Sequence, residues 1–298
     1  MKTEITIQPG AGQPGRPVWY RTITFTNFVS KFCIYTVLCL FGAVVLVPFF
    51  WTLSTALKTV PQALAVPPIW IPNPPMWENF AKVIDVMNFW RTFNNTMVIC
   101  GLEILGQLIS CSLVAYGFAR LRFPGRDALF FICVSTMLIP SHVLIIPRFV
   151  LFKELQWLDT FKPLIVPSFF GGAMNIFLLR QFFMTIPLEL DDAAEIDGCG
   201  YFGTFTRIML PLSKPALAIV AIFTFMNNWK EFMGPLIYLN NPAKYTLSLA
   251  LATFQTEGFV EWNLWMAAAF MTMIPPLILF FFAQKYFIQG IVFTGVKG

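Results

Sequence analysis

IPLELDDAAEIDGCGYFGTFTRIMLP, residues Ile186–Pro211, is the longest polar interruption in the second half of a very apolar chain. It carries Glu189, Asp191, Asp192 and Glu195, then Asp197, then a Gly198-Cys199-Gly200 break, and Pro211 closes it. That order predicts helix, turn, helix. Pro187 suits a first helical turn, where its missing N–H costs nothing, and the acids after it sit at the positive end of the helix dipole. Gly198 or Gly200 can take the left-handed conformation that ends a helix. Phe202, Phe205 and Met209 recur at helical spacing and give the second short helix one apolar face, stopped by Pro211. Two amphipathic helices wedged between strongly apolar segments predict a docking element at the cytoplasmic surface of a membrane.

Composition fixes the wider class. Of 298 residues, 57% are hydrophobic and only 12% are charged, where a soluble domain carries about 25% charged residues. With 34 Phe and 9 Trp the apolar surface exceeds what one soluble core buries, and the mean hydropathy of +0.69 agrees. The chain is an all-α integral membrane protein on this reading. Its net charge of +5 reflects Lys and Arg kept on the cytoplasmic side, and no nucleic-acid partner is expected. Cys33, Cys39, Cys100, Cys111 and Cys133 fall in apolar stretches and Cys199 in the polar loop, without metal-ligand spacing. His142 is the single histidine, so no His-rich metal or haem centre is available, and no metal or cofactor is expected.

A helix needs about 20 apolar residues to cross roughly 30 Å of hydrocarbon. Six stretches qualify, at about Phe32–Leu53, Thr92–Phe118, Ala128–Ile146, Leu164–Phe183, Ala216–Leu239 and Trp262–Phe287. Residues 1–31, polar and rich in Gly and Pro, read as a cytoplasmic N-terminal tail. The run that follows is too long for a signal peptide. Arg120, Arg122 and Arg126 cluster after the second span, Arg180, Arg207 and Lys214 flank the opening stretch, and Lys285 and Lys297 lie near the end. Placing both termini in the cytoplasm puts all of these there, together with the docking stretch. The first outer loop, VPPIWIPNPPMW, resists regular structure and suits the membrane–water boundary. Pro140, Pro147, Pro167, Pro275 and Pro276 lie within or at the ends of spans, where they read either as static bends or as hinges.

The sequence lacks a G-x-x-x-x-G-K-[ST] phosphate loop, so it should not hydrolyse ATP itself. It also lacks G-x-S-x-G and H-E-x-x-H, and an enzyme is not expected. Charges inside spans cost roughly 2.5–3.5 kcal/mol each at mid-membrane, so they are placed against protein or water. Glu103 lies in the second span; Asn227, Asn228, Lys230 and Glu231 lie in the fifth. They read either as the polar lining of a translocation path or as interhelical hydrogen bonding with snorkelling. Lys230 and Glu231 are adjacent, do not share a helix face, and should find different partners.

The opening stretch resembles the EAA loop of permease subunits of binding-protein-dependent ABC importers, with the pattern E-A-A, three residues, G, about nine residues, I-x-L-P. Asp192-Ala193-Ala194 stands for E-A-A, Gly198 takes the glycine position, and Ile208, Leu210 and Pro211 close the pattern. The wider text IPLELDDAAEIDG…LPLSKPALA is similar to the carbohydrate-importer branch, in particular the maltose-type second permease. Pro67–Phe80, Asn227–Leu239 and the ending GIVFTGVKG are similar to that branch's first outer loop, fifth span and tail. The resemblance implies a type I ABC importer (MetI-like) transmembrane domain of six helices over residues 32–298, with its coupling loop at about 186–211. It implies a homologous permease partner, two ATP-binding cassette subunits, an extracytoplasmic solute-binding protein and a sugar substrate in a bacterial or archaeal cytoplasmic membrane. Glu189, Asp191, Asp192, Ala193, Ala194, Asp197, Gly198, Leu210 and Pro211 would then couple to the ATPase, the acids pairing with basic groups in its cleft. Asp192 replaces the usual glutamate, and Cys199 a usual alanine. Lys230 stands where the branch often has asparagine, which would favour an anionic sugar if it faced the path. A glycerol phosphate, a polyol or another small polar solute is the alternative cargo, and a stand-alone secondary transporter the third reading.

Overall fold

The computed structural model describes residues 19–254 and 261–295, with side chains from 27 to 254 and from 261 to 284. Most of the expected tail, residues 1–18, and the last three residues of the expected C-terminal tail lie outside the described residues. The chain divides into two compact bodies, one ending at Trp51 and one beginning at Thr52. The first is built on α1 (Trp19–Ala56), a continuous helix that carries Pro48 and begins inside the expected tail. Its stretch from Asn27 is long and apolar enough to cross a membrane, and large side chains such as Phe32, Tyr35 and Phe41 stand exposed along it. A helix apolar on all sides suits hydrocarbon rather than water.

The second body opens with a short helix, α2 (Val60–Ala63), and α3 (Glu78–Val86), which bracket the Pro/Trp loop. Asn79 ties that loop down: its Nδ2 donates to the carbonyls of Ala56 (2.8 Å) and Lys58 (2.9 Å). The central element is α4 (Phe89–Arg120), followed by α5 (Arg126–Ser135), α6 (Ile145–Glu154), α7 (Lys162–Ile165) and α8 (Ala173–Thr185). Then come α9 (Glu189–Ile196), α10 (Tyr201–Thr204), a π-helical turn at Phe205–Met209, and α11 (Leu210–Leu212). The chain closes with α12 (Lys214–Trp229), α13 (Met233–Tyr238), α14 (Leu247–Thr253) and α15 (Trp262–Gly295). The described elements are all helical.

Four helical stretches are long and apolar enough to span, and two bent helix pairs bring the number to as many as six. Three of the expected spans therefore need correction, the fourth because a 3-10 turn at Val166–Phe170 and the non-helical Gly171 and Gly172 interrupt it before α8. The third is no single helix: Arg126–Leu138 and Ser141–Glu154 meet at 91° across Ile139 and Pro140. The fifth stops as a helix at Trp229 instead of running to Leu239, and it meets Tyr201–Leu212 at 76°. Pro235 is the reason for the stop. Proline has no N–H to donate to the carbonyl four residues earlier, which is that of Glu231. Ser248 Oγ donates to that carbonyl instead, at 2.5 Å. In α15, Pro275 and Pro276 leave the helix continuous. The carbonyl that Pro276 frees, that of Thr272, accepts from the indole Nε1 of Trp229 at 3.0 Å.

The helices α8 and α12 pack on α4, and α12 also packs on α15. One apolar cluster gathers Phe89 and Cys100 of α4 with Trp229, Leu247 and Ala267. A second gathers Cys111, Ala115 and Tyr116 of α4 with Leu179, Phe183, Met209 and Val220. Between lipid-facing helices packing rests on close approach rather than on exclusion of water, and Gly106 supplies it. A β-carbon there would overlap Ser168 Oγ and lie 2.8 Å from the Phe169 ring. Beside it, Gln107 Oε1 accepts from Asn175 Nδ2 at 3.0 Å. The backbone of Gly172 lies so close that an added β-carbon would stand 2.9 Å from that same oxygen.

Gly106→Val should therefore lower the stability of the purified protein by about 1–3 kcal/mol, the usual cost of overpacking. Gly101→Ala, whose β-carbon meets nothing within 4 Å, should be neutral or better. Thermal unfolding in detergent measures both, and equal effects would contradict the close-approach account.

Candidate functional site

Ile186–Pro211 folds as helix, turn, helix, with differences from the expected ends. α9 begins at Glu189, and Leu188 is its N-cap, so Pro187 precedes the helix instead of sitting in its first turn. Gly198 is the residue that takes positive φ, at 78°, while Gly200 is extended with φ −75°. The amide of Cys199 donates to the carbonyl of Ala194 (2.8 Å) and that of Gly198 to Glu195 (3.0 Å). These are the two hydrogen bonds of a Schellman end, which satisfies carbonyls that a helix terminus otherwise leaves open. Space does not demand glycine at 198, because a β-carbon there would meet nothing within 4 Å; the backbone conformation does. The second half bends through the π-helical turn, burying Phe205 and Met209 while Phe202 stays 71% exposed. The expected apolar face is thus shared by two of its three residues. Phe205 packs on Tyr116 of α4 with ring centroids 5.2 Å apart. Pro211 does not end the helix, which runs through it to Leu212.

The acids divide between two environments. Glu189, Asp192, Glu195 and Asp197 are exposed, as is Ala193, while Ala194 is buried beneath them. Asp191 turns inward. Its Oδ2 lies 3.1 Å from Nε of Arg120, the last residue of α4, in a pair whose side chains are only 22% and 5% exposed. Arg120 Nη2 also donates to the carbonyl of Ile186 at 2.6 Å, so one guanidinium holds both the helix and the strand of chain that leads into it. Burial raises the Asp191 carboxyl above its ordinary value, a shift that Arg120 opposes and Asp192 reinforces. Arg180 of α8 completes the support: its Nε donates to the carbonyl of Phe118 (3.3 Å) and its guanidinium lies 4.1 Å from the Phe130 ring centroid. An open groove of about 660 Å³ runs between this end of α4 and α9, lined among others by Arg120, Arg122, Asp192, Glu195, Cys199 and Tyr201. Leu210 is half-buried against the second apolar cluster and Pro211 is exposed. In the sequence Arg120 serves only to orient the chain. Its position at the end of a span, 71 residues from Asp191 in sequence, gave no signal of the pairing.

The in-span polar residues separate likewise. Glu103, Asn228 and Glu231 line one cavity of about 340 Å³ together with Ser141, His142, Arg148 and Tyr238. Asn227 and Lys230 are not among its lining residues, and both are exposed. Glu231 also receives the amide of Gly234 at 2.8 Å, fixing the restart of the chain as α13. The far end of α13 is held by Asp159. Its amide donates to the carbonyl of Tyr238 (2.7 Å), and its carboxylate accepts from the amides of Asn240 and Asn241 and from Lys244 Nζ (2.8 Å). Asn95 of α4 donates to the carbonyls of Ala243 and Tyr245, both at 3.0 Å. Lys244 and the two amides hold the Asp159 carboxyl far below its ordinary range, at about 2. Among the described residues no cluster of His, Cys, Asp and Glu is placed to hold a metal ion.

Residues 109–292 match the family described as binding-protein-dependent transport system inner membrane component. The chain is 37% identical to the arabinooligosaccharides transport system permease protein AraQ of Halalkalibacterium halodurans, over 70% of this chain and 75% of that one. It is 32% identical to the sn-glycerol-3-phosphate transport system permease protein UgpE of Escherichia coli, over 87% of this chain and 94% of that one. Among solved structures, a chain of a bacterial ABC transporter for import of the acidic polysaccharide alginate superposes with a TM-score of 0.75 at 23% identity. It covers 92% of this chain and 100% of the other, and carries the fold alone.

Two predictions follow from these contacts. Removing one partner from a buried ion pair strands a charge, whereas replacing both by apolar groups can be close to neutral. Arg120→Met should therefore destabilise the protein in thermal unfolding more than Arg120→Met/Asp191→Leu does; additive losses would mean that the pair is not coupled. For Asp159 the folded value is depressed, so its contribution is fully present above the unfolded value of about 3.9 and is lost as pH falls through about 2. Hydrogen exchange at Asn240 and Asn241, corrected for the intrinsic rate, should stay slow from pH 8 to 5 and rise about tenfold in Asp159→Ala, the loss of one charge-assisted bond.

Proposed function

The chain belongs to the family of binding-protein-dependent transport system inner membrane components, and from that premise we propose how it works. It is a multi-pass permease subunit, a transport component and not an enzyme. In the proposed assembly it pairs with a homologous permease in the cytoplasmic membrane. Two ATP-binding cassette subunits sit beneath, and an extracytoplasmic solute-binding protein delivers the solute. Both chain termini face the cytoplasm, in keeping with the clusters of Arg and Lys at the same end as α9.

The observation that carries the coupling role is the mounting of α9. It is short, closed at one end by the Schellman bonds around Gly198, and fastened to the end of a membrane-length helix by Arg120. A push on such an element is transmitted, because neither the helix nor its lead-in at Ile186 moves without α4. Its outward surface combines Glu189, Asp192, Glu195 and Asp197 with Ala193 and the 86%-exposed Ile196. Leu210 and Pro211 carry the movement into α12. The exposed acids, and not Asp191, are the ones to meet basic groups of an ATPase cleft. Within the span region, Glu103, Asn228 and Glu231 form the polar part of the translocation path, and Asn227 and Lys230 stand outside it.

A carbohydrate is the proposed cargo, in line with the arabinooligosaccharide permease relative. A glycerol phosphate is the second reading, favoured by the longer match to the sn-glycerol-3-phosphate permease relative. A stand-alone secondary transporter has no support in a chain of this family.

The coupling role predicts a graded series at Gly198. Placing a β-branched side chain at positive φ costs roughly 1–2 kcal/mol, while asparagine tolerates that region. Gly198→Val and Asp192→Lys should leave the protein in the membrane and abolish both uptake and stimulation of the ATPase by the solute-loaded binding protein; Gly198→Asn should keep most of both. Normal uptake by the valine and lysine variants would refute the coupling role.

A further inference from the structure

Four arginines serve the end of α4 and the start of α5, and two of them are already committed. Arg120 is held by Asp191 and by the carbonyl of Ile186. Arg180 donates to the carbonyl of Phe118 and rests on the Phe130 ring. Arg122 and Arg126 remain. The turn at Pro124 and Gly125 brings them, four residues apart, to the wall of one open pocket of about 380 Å³. Arg122 is exposed and makes no ion pair among the described residues. Arg126 shares its guanidinium with the neighbouring Asp127, Nε to Oδ1 at 3.0 Å and Nη2 to Oδ2 at 3.5 Å. A guanidinium carries five N–H donors in a fixed fork, so this contact leaves donors over. The Asp127 side chain is 75% exposed, and an ion pair at such a position is worth little. The elbow between α4 and α5 is thus a concave surface with cationic donors to spare.

The apolar side chains around the pocket decide which anion fits. Phe123, between the two arginines, is exposed. Leu129 and Ile132 follow Arg126 at intervals of three along α5, on neighbouring positions of the helix surface, and both are exposed, as is Phe131. In a multi-pass membrane protein such a surface meets hydrocarbon. At 1.5 Å rise per residue, Leu129 is only about 4.5 Å along the helix from Arg126. The guanidinium groups therefore stand at the edge of the hydrocarbon, the level at which the headgroups of a leaflet lie. We propose that the α4–α5 elbow binds the phosphodiester headgroup of an anionic phospholipid such as phosphatidylglycerol. The phosphodiester sits between Arg122 and Arg126, as anionic headgroups do in basic pockets at helix ends, and the acyl chains run along Leu129 and Ile132. A free phosphate offers the same oxygens to the arginines but leaves that apolar track unused. A zwitterionic lipid carries its own cation to the pocket, where two guanidinium groups repel it. Arg122 also lines the groove beside α9, so the bound headgroup stands next to that helix without entering the Arg120–Asp191 pair. The site is independent of the coupling role and of the cargo.

The test uses the full-length purified chain in lipid nanodiscs, with its native cysteines replaced and Ala128→Cys introduced in the pocket wall. The probe is methyl methanethiosulfonate, a neutral reagent that a charged bilayer does not concentrate. Labelling in a phosphatidylcholine–phosphatidylglycerol mixture should be about fivefold slower than in phosphatidylcholine alone, the worth of about one arginine at an anionic surface. Inorganic phosphate added to phosphatidylcholine discs should give no protection, and Ser141→Cys, at the other bend, should label at one rate in both discs. Arg122→Gln/Arg126→Gln should abolish the difference. Asp127→Asn removes the competing carboxylate, keeps both arginines and should widen it. Equal labelling in the two discs, protection that survives loss of both arginines, or a difference that Asp127→Asn fails to widen would each overturn the site; the last reading stands by itself if the double variant does not fold. Equal protection by inorganic phosphate would assign the pocket to a free anion and overturn the lipid. The same comparison in the complete importer should keep the dependence on phosphatidylglycerol. Protection there in both discs alike would mean that a protein subunit covers the elbow, and would overturn the proposal for the assembled protein.

Discussion

The structure depends on one constraint: a backbone carbonyl that loses its helical donor inside hydrocarbon must be given another. Each unsatisfied group there costs several kcal/mol, and this chain, with prolines through its apolar segments, creates many of them. The donors come from other elements. Trp229 serves the Thr272 carbonyl that Pro276 frees, and Ser248 serves that of Glu231, freed by Pro235. Arg180 serves Phe118 in the last turn of α4, Arg120 serves Ile186 ahead of Pro187, and Ser110 serves Ser168 beside the Gly106 contact. Every such bond is also a tertiary link. Breaking helices and tying them together are one and the same device here, which is why the bends coexist with a defined cavity.

Along α4 these links have a consequence for function. Its N-terminal end holds the loop after α13 through Asn95, and the amide of Leu247 through Thr96 at 2.9 Å. Its middle presents Glu103 to the cavity. Its other end is gripped through Arg120 by the proposed coupling helix. A helix of 32 residues, unbroken and carrying no proline, is the stiffest connection available between those three places. The proposed transmission therefore needs no chain of small side-chain adjustments: displacement of α9 moves the helix that forms one wall of the cavity. Packed on α4 and bringing Asn228 to the same cavity, α12 is joined to the same loop by the π-helical turn and α11. In the proposed transmission both helices are therefore reached from the two ends of one short segment.

Much of this was legible in the residue order. The acid run, the glycine at 198 and the apolar periodicity around Phe205 and Met209 are local signals, and the element they predict exists. The apolar lengths gave the spans because hydrocarbon thickness leaves little choice. The misses share a cause. Pro235 was visible, but its effect on Ala216–Leu239 depended on whether a donor existed for the Glu231 carbonyl, and that donor is on α14. Arg120 looked like one more cation among Arg122 and Arg126, and only the fold brings Asp191 to it. Lys230 is a lining candidate in sequence because it is a charge inside an apolar span; in the fold it caps α12 and stands exposed, outside the cavity lining. His142 and Arg148 entered the cavity because the bend at Pro140 turns the chain back, which no helical period encodes.

Asp192, where the resembled pattern has glutamate, lies on the outward side of α9. Were it the inward-facing acid, shortening glutamate by one methylene would have changed the reach to Arg120 and with it the mounting of α9. The inward position is Asp191 instead, one residue earlier and about 100° around the helix. Asp192 is exposed and makes no ion pair among the described residues. Nothing inside this chain therefore depends on the length of its side chain. The departure from the family pattern belongs to the outer surface of α9, where its complement is to be sought on the partner and not in this fold. The acidic run that reads as one feature in sequence is two in space, one carboxylate that holds the helix in place and several that face away from it.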